Sequence, residues 1–322
     1  MQSNKSYYIG IDGGGTKTEG LLCDCDGVIL VKSTAGSTNL KSREEEDVRA
    51  AIHHVMKELI DGVHGRLIAG IFVSTAGGDR EEDQQRWKKW ITQVFPDFGG
   101  VMMVRNDAYG ALASGTFSME GTVLIAGTGS IAYSINDESK RVGGWGYLFG
   151  DEGSGYDIGR QALRKVAMMH DGREEGDEVF SNEVLAFLNL KSSPEIITAI
   201  YEDPYARMKI ASLARIVLVL AERKNRTAEL IVKSAIDHLI GLVKAIEVGN
   251  GKLVICGGLF QSIFFRRSFI KRMVEKNVIS EVNYPTLSPA AGACICALIT
   301  GGISITVQLK ENLMSSHHAI DG

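Results

Sequence analysis

Three groups of residues in this 322-residue chain have the types and spacing for chemistry. The first is Asp12-Gly13-Gly14-Gly15-Thr16, which closes an apolar run from Tyr7 to Ile11. Consecutive glycines remove the Cβ atoms that would hold a ligand away from the backbone. Successive N–H groups in such a turn make a concave anion site. A hydrogen bond to a charged group is worth roughly 1.5–3 kcal/mol, so a few of them hold a phosphate. Asp12 would repel bare phosphate. Its place is accounted for if Mg²⁺ lies between the two, because that ion is held by a carboxylate or two together with phosphates and waters. The Walker pattern is absent, since Lys17 stands between Thr16 and Thr18. A plain glycine-rich hairpin would use the same residues.

The second group is Gly127-Thr128-Gly129-Ser130-Ile131-Ala132. It fits the dinucleotide fingerprint G-x-G-x-x-A, but a Rossmann loop must open a helix. Tyr133, Ile135 and the turn at Asn136 predict a strand instead. A second phosphate cradle facing the first, the two gripping the β- and γ-phosphates of one nucleotide, suits these residues better. Cys256-Gly257-Gly258 is a strand-to-helix turn whose paired glycines allow a flat ligand such as adenine to approach.

The third group is a carboxylate and a loop. Asp107 ends a strand just before a helix, where open sheets place their ligands. There it can take a proton from a sugar hydroxyl attacking phosphorus, or cap the helix. Gly143-Gly144-Trp145-Gly146-Tyr147-Leu148-Phe149-Gly150-Asp151-Glu152-Gly153-Ser154-Gly155 sets aromatic and acidic residues among glycines rather than on a periodic face. An aromatic surface for a ring and carboxylates for hydroxyls are the elements of a carbohydrate site. The competing account is an irregular loop around one buried Trp.

The elements that must position these groups follow from pattern. Thr18–Cys23 and Val28–Val31 read as strands joined by a turn at Asp26-Gly27. Ser42 and Glu45 form a capping box for a helix with Val48, Ile52, Val55 and Leu59 on one face. Strands are expected at Leu67–Val73 and Val101–Val104, and helices at Gln84–Val94 and Ala108–Ser114. The pattern then restarts, with strands at Gly121–Ala126 and Ile131–Ile135 around the second glycine turn. This weak internal repeat builds two similar domains. Arg141–Gly155 reads as a connection, and a mainly helical region runs to Val248. A strand at Lys252–Cys256 and helices around Phe264–Lys276 and Ser288–Thr300 follow, and the polar tail from about Lys310 is expected to fray. The domains are set at 1–116 and 117–300, with the helix at 288–300 a candidate to pack back on the first and 310–322 a tail.

A formal net charge of −4 argues against a nucleic-acid or anionic-membrane partner. No long uncharged apolar segment and no signal pattern occurs, which fits a cytoplasmic protein. Five cysteines, mostly within apolar patterns, fit reduced thiols. Cys23-x-Cys25 and Cys294-x-Cys296 lack the spacing that zinc favours.

Together these segments resemble the sugar-kinase, Hsp70 and actin superfamily, and more closely the N-acetylglucosamine kinase group within the BadF/BadG/BcrA/BcrD ATPase family. The motifs Gly143–Gly155, Ser37-Thr38-Asn39 and Asp107 carry the closer likeness. The resemblance implies an α/β fold of two ribonuclease-H-like, actin-type ATPase domains with a cleft between them. It implies ATP and Mg²⁺, with Asp12 on the ion through water and Gly13, Gly14, Gly15, Thr16, Thr128 and Gly129 on phosphate. Gly257, Gly258 and Ala211 would border the adenosine. Asn39, Gly144, Trp145, Gly146, Asp151 and Ser154 would bind the amino sugar, and Asp107 would take the proton from its 6-hydroxyl. A homodimer is also implied. Glucosamine and N-acetylmuramic acid stay open as substrates. Two other classes also stay open: an ATPase activator of a radical dehydratase or reductase, and a non-catalytic sugar sensor.

Overall fold

The computed structural model describes residues 5–15, 17–38, 43–63, 67–76, 78–136, 139–246, 252–278 and 281–321. Backbone contacts divide the chain into two compact units, Met1–Gly121 with Tyr284–Gly322, and Thr122–Asn283.

The first unit opens with strands β1 (Tyr7–Gly13), β2 (Lys17–Asp24) and β3 (Ile29–Gly36). Helix α1 (Glu45–Asp61), strand β4 (Ile68–Thr75), helix α2 (Glu81–Val94), strand β5 (Val101–Arg105) and helix α3 (Asp107–Thr116) follow. The sheet order is β3-β2-β1-β4-β5, with β2 antiparallel to β1 and β3, and β4 parallel to β1 and β5. Alternation along β1 divides the core. Tyr7, Ile9 and Ile11 join Val48, Ile52, Val55, Trp87 and Trp90 of α1 and α2 on one face of the sheet. The Ser42 cap falls outside the described residues. Helix α1 starts after Glu44, which makes no side-chain cap bond.

The second unit repeats the plan. Strands β6 (Gly121–Ala126), β7 (Ser130–Ile135) and β8 (Lys140–Gly143) lead into helices α4 (Gly155–His170), α5 (Glu178–Phe187), α6 (Glu195–Tyr201), α7 (Ala206–Ser212), α8 (Ala214–Glu222) and α9 (Arg226–Ile246). Strand β9 (Lys252–Cys256), a 3-10 turn (Gly258–Gln261), helix α10 (Ile263–Glu275) and strand β10 (Glu281–Asn283) complete it. The sheet order is β8-β7-β6-β9-β10, which is third, second, first, fourth, fifth, as in the first unit. Here too the second and third strands are antiparallel, and the fourth is parallel to the first and fifth. Two sheets of this order are the architecture expected of duplicated ribonuclease-H-like domains. Strand β8 corrects the sequence reading, which made Arg141–Gly143 part of a loop; the pairing of Ala132 with Val142 draws it into the sheet.

The chain then returns to the first unit through helices α11 (Pro289–Thr300) and α12 (Val307–Asp321). Helix α11 is buried from Ala290 to Leu298 and packs on the second face of the first sheet with Tyr8, Leu21 and Phe72. Small residues permit this depth. A Cβ on Gly10 of β1 would lie 2.1 Å from the Cys294 nitrogen, so strand and helix meet backbone to backbone. The tail expected to fray is the helix α12 instead. Leu309, Leu313 and His317, spaced four apart, are buried, and the His317 imidazole bonds the hydroxyl of Ser288, the cap of α11, at 3.1 Å.

Candidate active site

The first glycine turn joins β1 to β2. A Cβ on Gly13 would stand 2.7 Å from Thr75 Oγ1 and 2.9 Å from Thr38 Oγ1, so only glycine fits. The Gly13 carbonyl accepts from Thr75 Oγ1 at 3.1 Å, and the Gly14 carbonyl accepts from Ser37 Oγ at 3.2 Å. The Gly14 N–H donates to Lys17 O at 3.0 Å, so this donor closes the hairpin and does not face outward as the sequence suggested. Gly15 is exposed, and Thr16 and Asn39 lie outside the described residues.

Asp12 stands in β1 opposite Glu19 of β2 and Ser74 of β4. Burial pushes its carboxyl up to about 7, the charges of Asp107 and Glu19 add to the rise, and Lys17 opposes it. Glu19 beside it is paired with Lys17 Nζ at 2.6 Å, and no cluster of three metal-ligating side chains occurs among the described residues, so Asp12 suits a divalent cation that keeps most of its water shell.

Asp107 is the first residue of α3, and it is not the cap. Asn106 takes that place, its Oδ1 accepting from Ala108 N at 3.0 Å. A long-range brace holds the junction. Ser74 Oγ donates to the Asn106 carbonyl at 3.1 Å and accepts from Gly110 N at 3.0 Å, and Asn106 Nδ2 donates to Asp79 Oδ1 at 2.7 Å. Burial raises the Asp107 carboxyl above its usual range, nearby backbone N–H groups partly offset this, and the charge of Asp79 adds to it. A carboxylate that holds its proton more tightly than usual is a better general base at neutral pH.

In the second unit the turn Gly127-Thr128-Gly129 leads into β7, a strand, which removes the Rossmann reading. Gly127 N donates to Gly129 O at 2.9 Å, and Gly155 N to Gly127 O at 2.7 Å. A Cβ on Gly129 would stand 2.8 Å from Asp151 Oδ2, so turn and loop meet at a point where no side chain fits. Asp151 is 4 % exposed, at φ 59°, and Oδ1 accepts from Gly146 N at 3.3 Å. Burial raises its carboxyl, while the Gly146 N–H, the Arg207 charge and the Ser130 N–H hold the rise in check. Gly144 (φ 68°), Gly146 (φ 96°) and Gly153 (φ 78°) take backbone angles that side chains rarely adopt, which explains the glycine density.

Trp145 is 66 % exposed, so the loop is not built around a buried Trp. Ser154 is fully buried and caps α4, accepting from Asp157 N at 3.2 Å. Gly257 (φ 99°) lets β9 turn beside Ala126, whose carbonyl oxygen would be 2.5 Å from an added Cβ. Ala211 on α7 has its carbonyl 3.3 Å from the Cβ position of Gly155, beside the second turn.

Each unit thus gathers its own set: Asp12, Gly13 and Asp107 in the first, and Thr128, Gly129, Gly146, Asp151, Ala211 and Gly257 in the second. Sequence reasoning missed Asp79, Ser74 and Asn106, which brace Asp107, and the arginines beside the glycine loop. No helix among the described residues is long and apolar enough to cross a membrane.

A model of the BadF/BadG/BcrA/BcrD ATPase family matches residues 9–297. The chain is 34 % identical over 281 residues to an N-acetylmuramic acid/N-acetylglucosamine kinase of Clostridium acetobutylicum, covering 84 % of this chain and 91 % of the relative. It is 32 % identical to an N-acetyl-D-glucosamine kinase of Dictyostelium discoideum over 92 % and 98 % of the two chains. A solved chain of Chromobacterium violaceum, provisionally named an N-acetylglucosamine kinase, superposes with a TM-score of 0.71 at 23 % identity, over 92 % and 99 % of the chains. At that identity the likeness shows the fold.

Proposed function

The chain belongs to the BadF/BadG/BcrA/BcrD ATPase family, and on that footing we propose that it is an ATP-dependent amino-sugar kinase forming a 6-phosphate from N-acetylglucosamine. The observation that carries this reading is Asp107, a half-buried carboxylate of raised proton affinity at the start of α3.

In this mechanism Asp107 accepts the proton of the sugar 6-hydroxyl as that oxygen attacks the γ-phosphorus in line. Gly13, Gly15 and Thr16 in one turn and Thr128 and Gly129 in the other would hold the phosphates. Gly257, Gly258 and Ala211 border the adenosine. Mg²⁺ would be held by Asp12 through water and would neutralise charge on the phosphates, in keeping with an ion that takes one or two carboxylates and retains its waters. The exposed Trp145 ring offers an apolar face to the sugar, Asp151 with Asn39, Gly144 and Gly146 meets its polar groups, and the buried Ser154 supports the loop as the cap of α4. The enzyme would act in the cytoplasm as a homodimer.

An ATPase activator of the same broad family would need converging thiolates for an iron–sulfur cluster. Cys23, Cys294 and Cys296 are buried, and the Cys23 and Cys296 thiols are raised above their usual range, so they resist becoming ligands. The deciding experiment is a coupled ADP-release assay over N-acetylglucosamine, glucosamine and N-acetylmuramic acid, with the product identified by ³¹P NMR. Sugar-dependent ADP release with a 6-phosphate product is expected. ATP hydrolysis indifferent to sugar, or a product phosphorylated elsewhere, would refute the proposal.

A further inference from the structure

We infer that Arg141 and Arg207 make an anion-accepting rim on the Gly143–Gly155 loop, fitting it for amino sugars that carry a carboxylate on a ring substituent. This inference rests on the amino-sugar reading of that loop. Two guanidinium groups lie over two of its exposed rings, those of Trp145 and Tyr147. Arg141 Cζ is 5.1 Å from the centroid of Trp145, and Arg207 Cζ is 5.0 Å from that of Tyr147. Tyr147 is itself fixed edge-on against Tyr156, with ring centroids 5.1 Å apart. The arginines come from separate elements, β8 and α7, yet both lie over rings of residues two apart in one loop.

A guanidinium held over a ring is attracted by the ring quadrupole, an interaction that does not consume its N–H donors by hydrogen bonding to an acceptor. Neither set of donors is saturated. Arg207 Nη2 reaches Asp151 Oδ2 only at 3.5 Å, loose beside the roughly 2.7–2.9 Å of a charge-assisted bond. No carboxylate among the described residues pairs with Arg141. The Arg207 side chain is 44 % exposed while Asp151 is buried, so the cation sits on the outer side of the carboxylate. A neutral sugar needs acceptors and N–H donors, which Asp151 and the loop supply. Two cations with open fork edges answer a further charge, and a planar carboxylate is the group that a guanidinium fork matches.

The test uses the full chain, calorimetric titration and steady-state kinetics. N-acetylglucosamine is the neutral probe and N-acetylmuramic acid, with its lactyl carboxylate, the anionic one. The variants are Arg141→Met, Arg207→Met and Arg207→Lys. The parent is expected to bind the acidic sugar. Each Met variant should lose affinity for it by roughly 10-fold or more beyond its loss for the neutral sugar, the usual worth of a bond to a charged group. Arg207→Lys should recover part of that difference, and added salt should weaken the acidic sugar selectively. Equal losses on both sugars would make the arginines mere loop supports, and a parent that ignores the acidic sugar would sink the rim outright. Failure to phosphorylate either sugar would defeat the kinase reading, while the titrations would still decide the rim.

Discussion

Gly292 of α11 meets Gly110 of α3 so closely that a Cβ on Gly292 would stand 1.9 Å from the Gly110 carbonyl oxygen. The same helix touches β1 at Gly10, so one element from the end of the chain sets both the strand bearing Asp12 and the helix bearing Asp107.

Gly292→Ala should therefore be severe. Overpacking costs about 1–3 kcal/mol where side chains can yield, and here the obstacle is backbone, so the upper end or beyond is expected. Guanidinium unfolding should show a lower midpoint, and turnover should fall as α3 is displaced. A variant with the parental midpoint would mean that the helices part without penalty.

Asp107→Asn should lower kcat by about 10²–10⁴-fold, the usual worth of a general base. The same change should stabilise the fold. A carboxyl whose proton affinity is raised by folding favours the native state at low pH and costs it stability as pH rises above the unfolded value. The neutral amide removes that penalty. Thermal melts at pH 7 should place the variant above the parent. A variant of parental activity would dismiss Asp107 as the base, whatever its melting temperature.

The pH dependence follows from the same residue. The base works only when ionised, and its carboxyl is raised, so the acid limb of kcat/KM should lie above the ordinary Asp value of 3.8. Asp79 contributes to the rise through its charge. In Asp79→Asn the limb should shift toward lower pH. A limb that stays in place would remove Asp79 from the electrostatics of the site.

How much of this was legible in the sequence depends on the range of the forces involved. Strands β1, β6 and β9 announce themselves, because each is an apolar run ended by glycine or a small residue. The doubled sheet order is prefigured by the repeat of strand, glycine turn and strand. Helix α12 was obscured by the polar residues around Leu309, Leu313 and His317, although their spacing of four was present throughout. Asn106 and Asp107 are both good caps, and only Ser74, 32 residues away, decides between them by gripping the Asn106 carbonyl. Arg207 reaches Asp151 across 56 residues, a contact that no local pattern encodes.

Elsewhere in the second unit, Asp237 of α9 takes a two-pronged bond from Arg272 of α10, Nε to Oδ1 at 2.8 Å and Nη2 to Oδ2 at 3.0 Å, with Lys276 at 3.0 Å. The Arg272 bond, with help from Lys276, lowers the Asp237 carboxyl to about 2. A depressed carboxyl adds stability above its unfolded value and loses it as pH falls, here between about 4 and about 2. Because the pair is partly in solvent, Asp237→Asn should cost only about 1 kcal/mol at pH 7. That difference should vanish when denaturation is repeated near pH 2, and its persistence there would assign the loss to packing.

The return of the chain through Tyr284–Gly322 bears on how the protein is made. As the polypeptide leaves the ribosome, strands β1, β2 and β4 emerge with Tyr8, Leu21 and Phe72 still waiting for a helix encoded more than two hundred codons later. A sheet synthesised well before α11 thus matures only once that helix is made, and until then the nascent chain carries a sticky, half-clad face. Premature termination near the end would leave that sheet bare for good, in a polypeptide that lacks only its final helices.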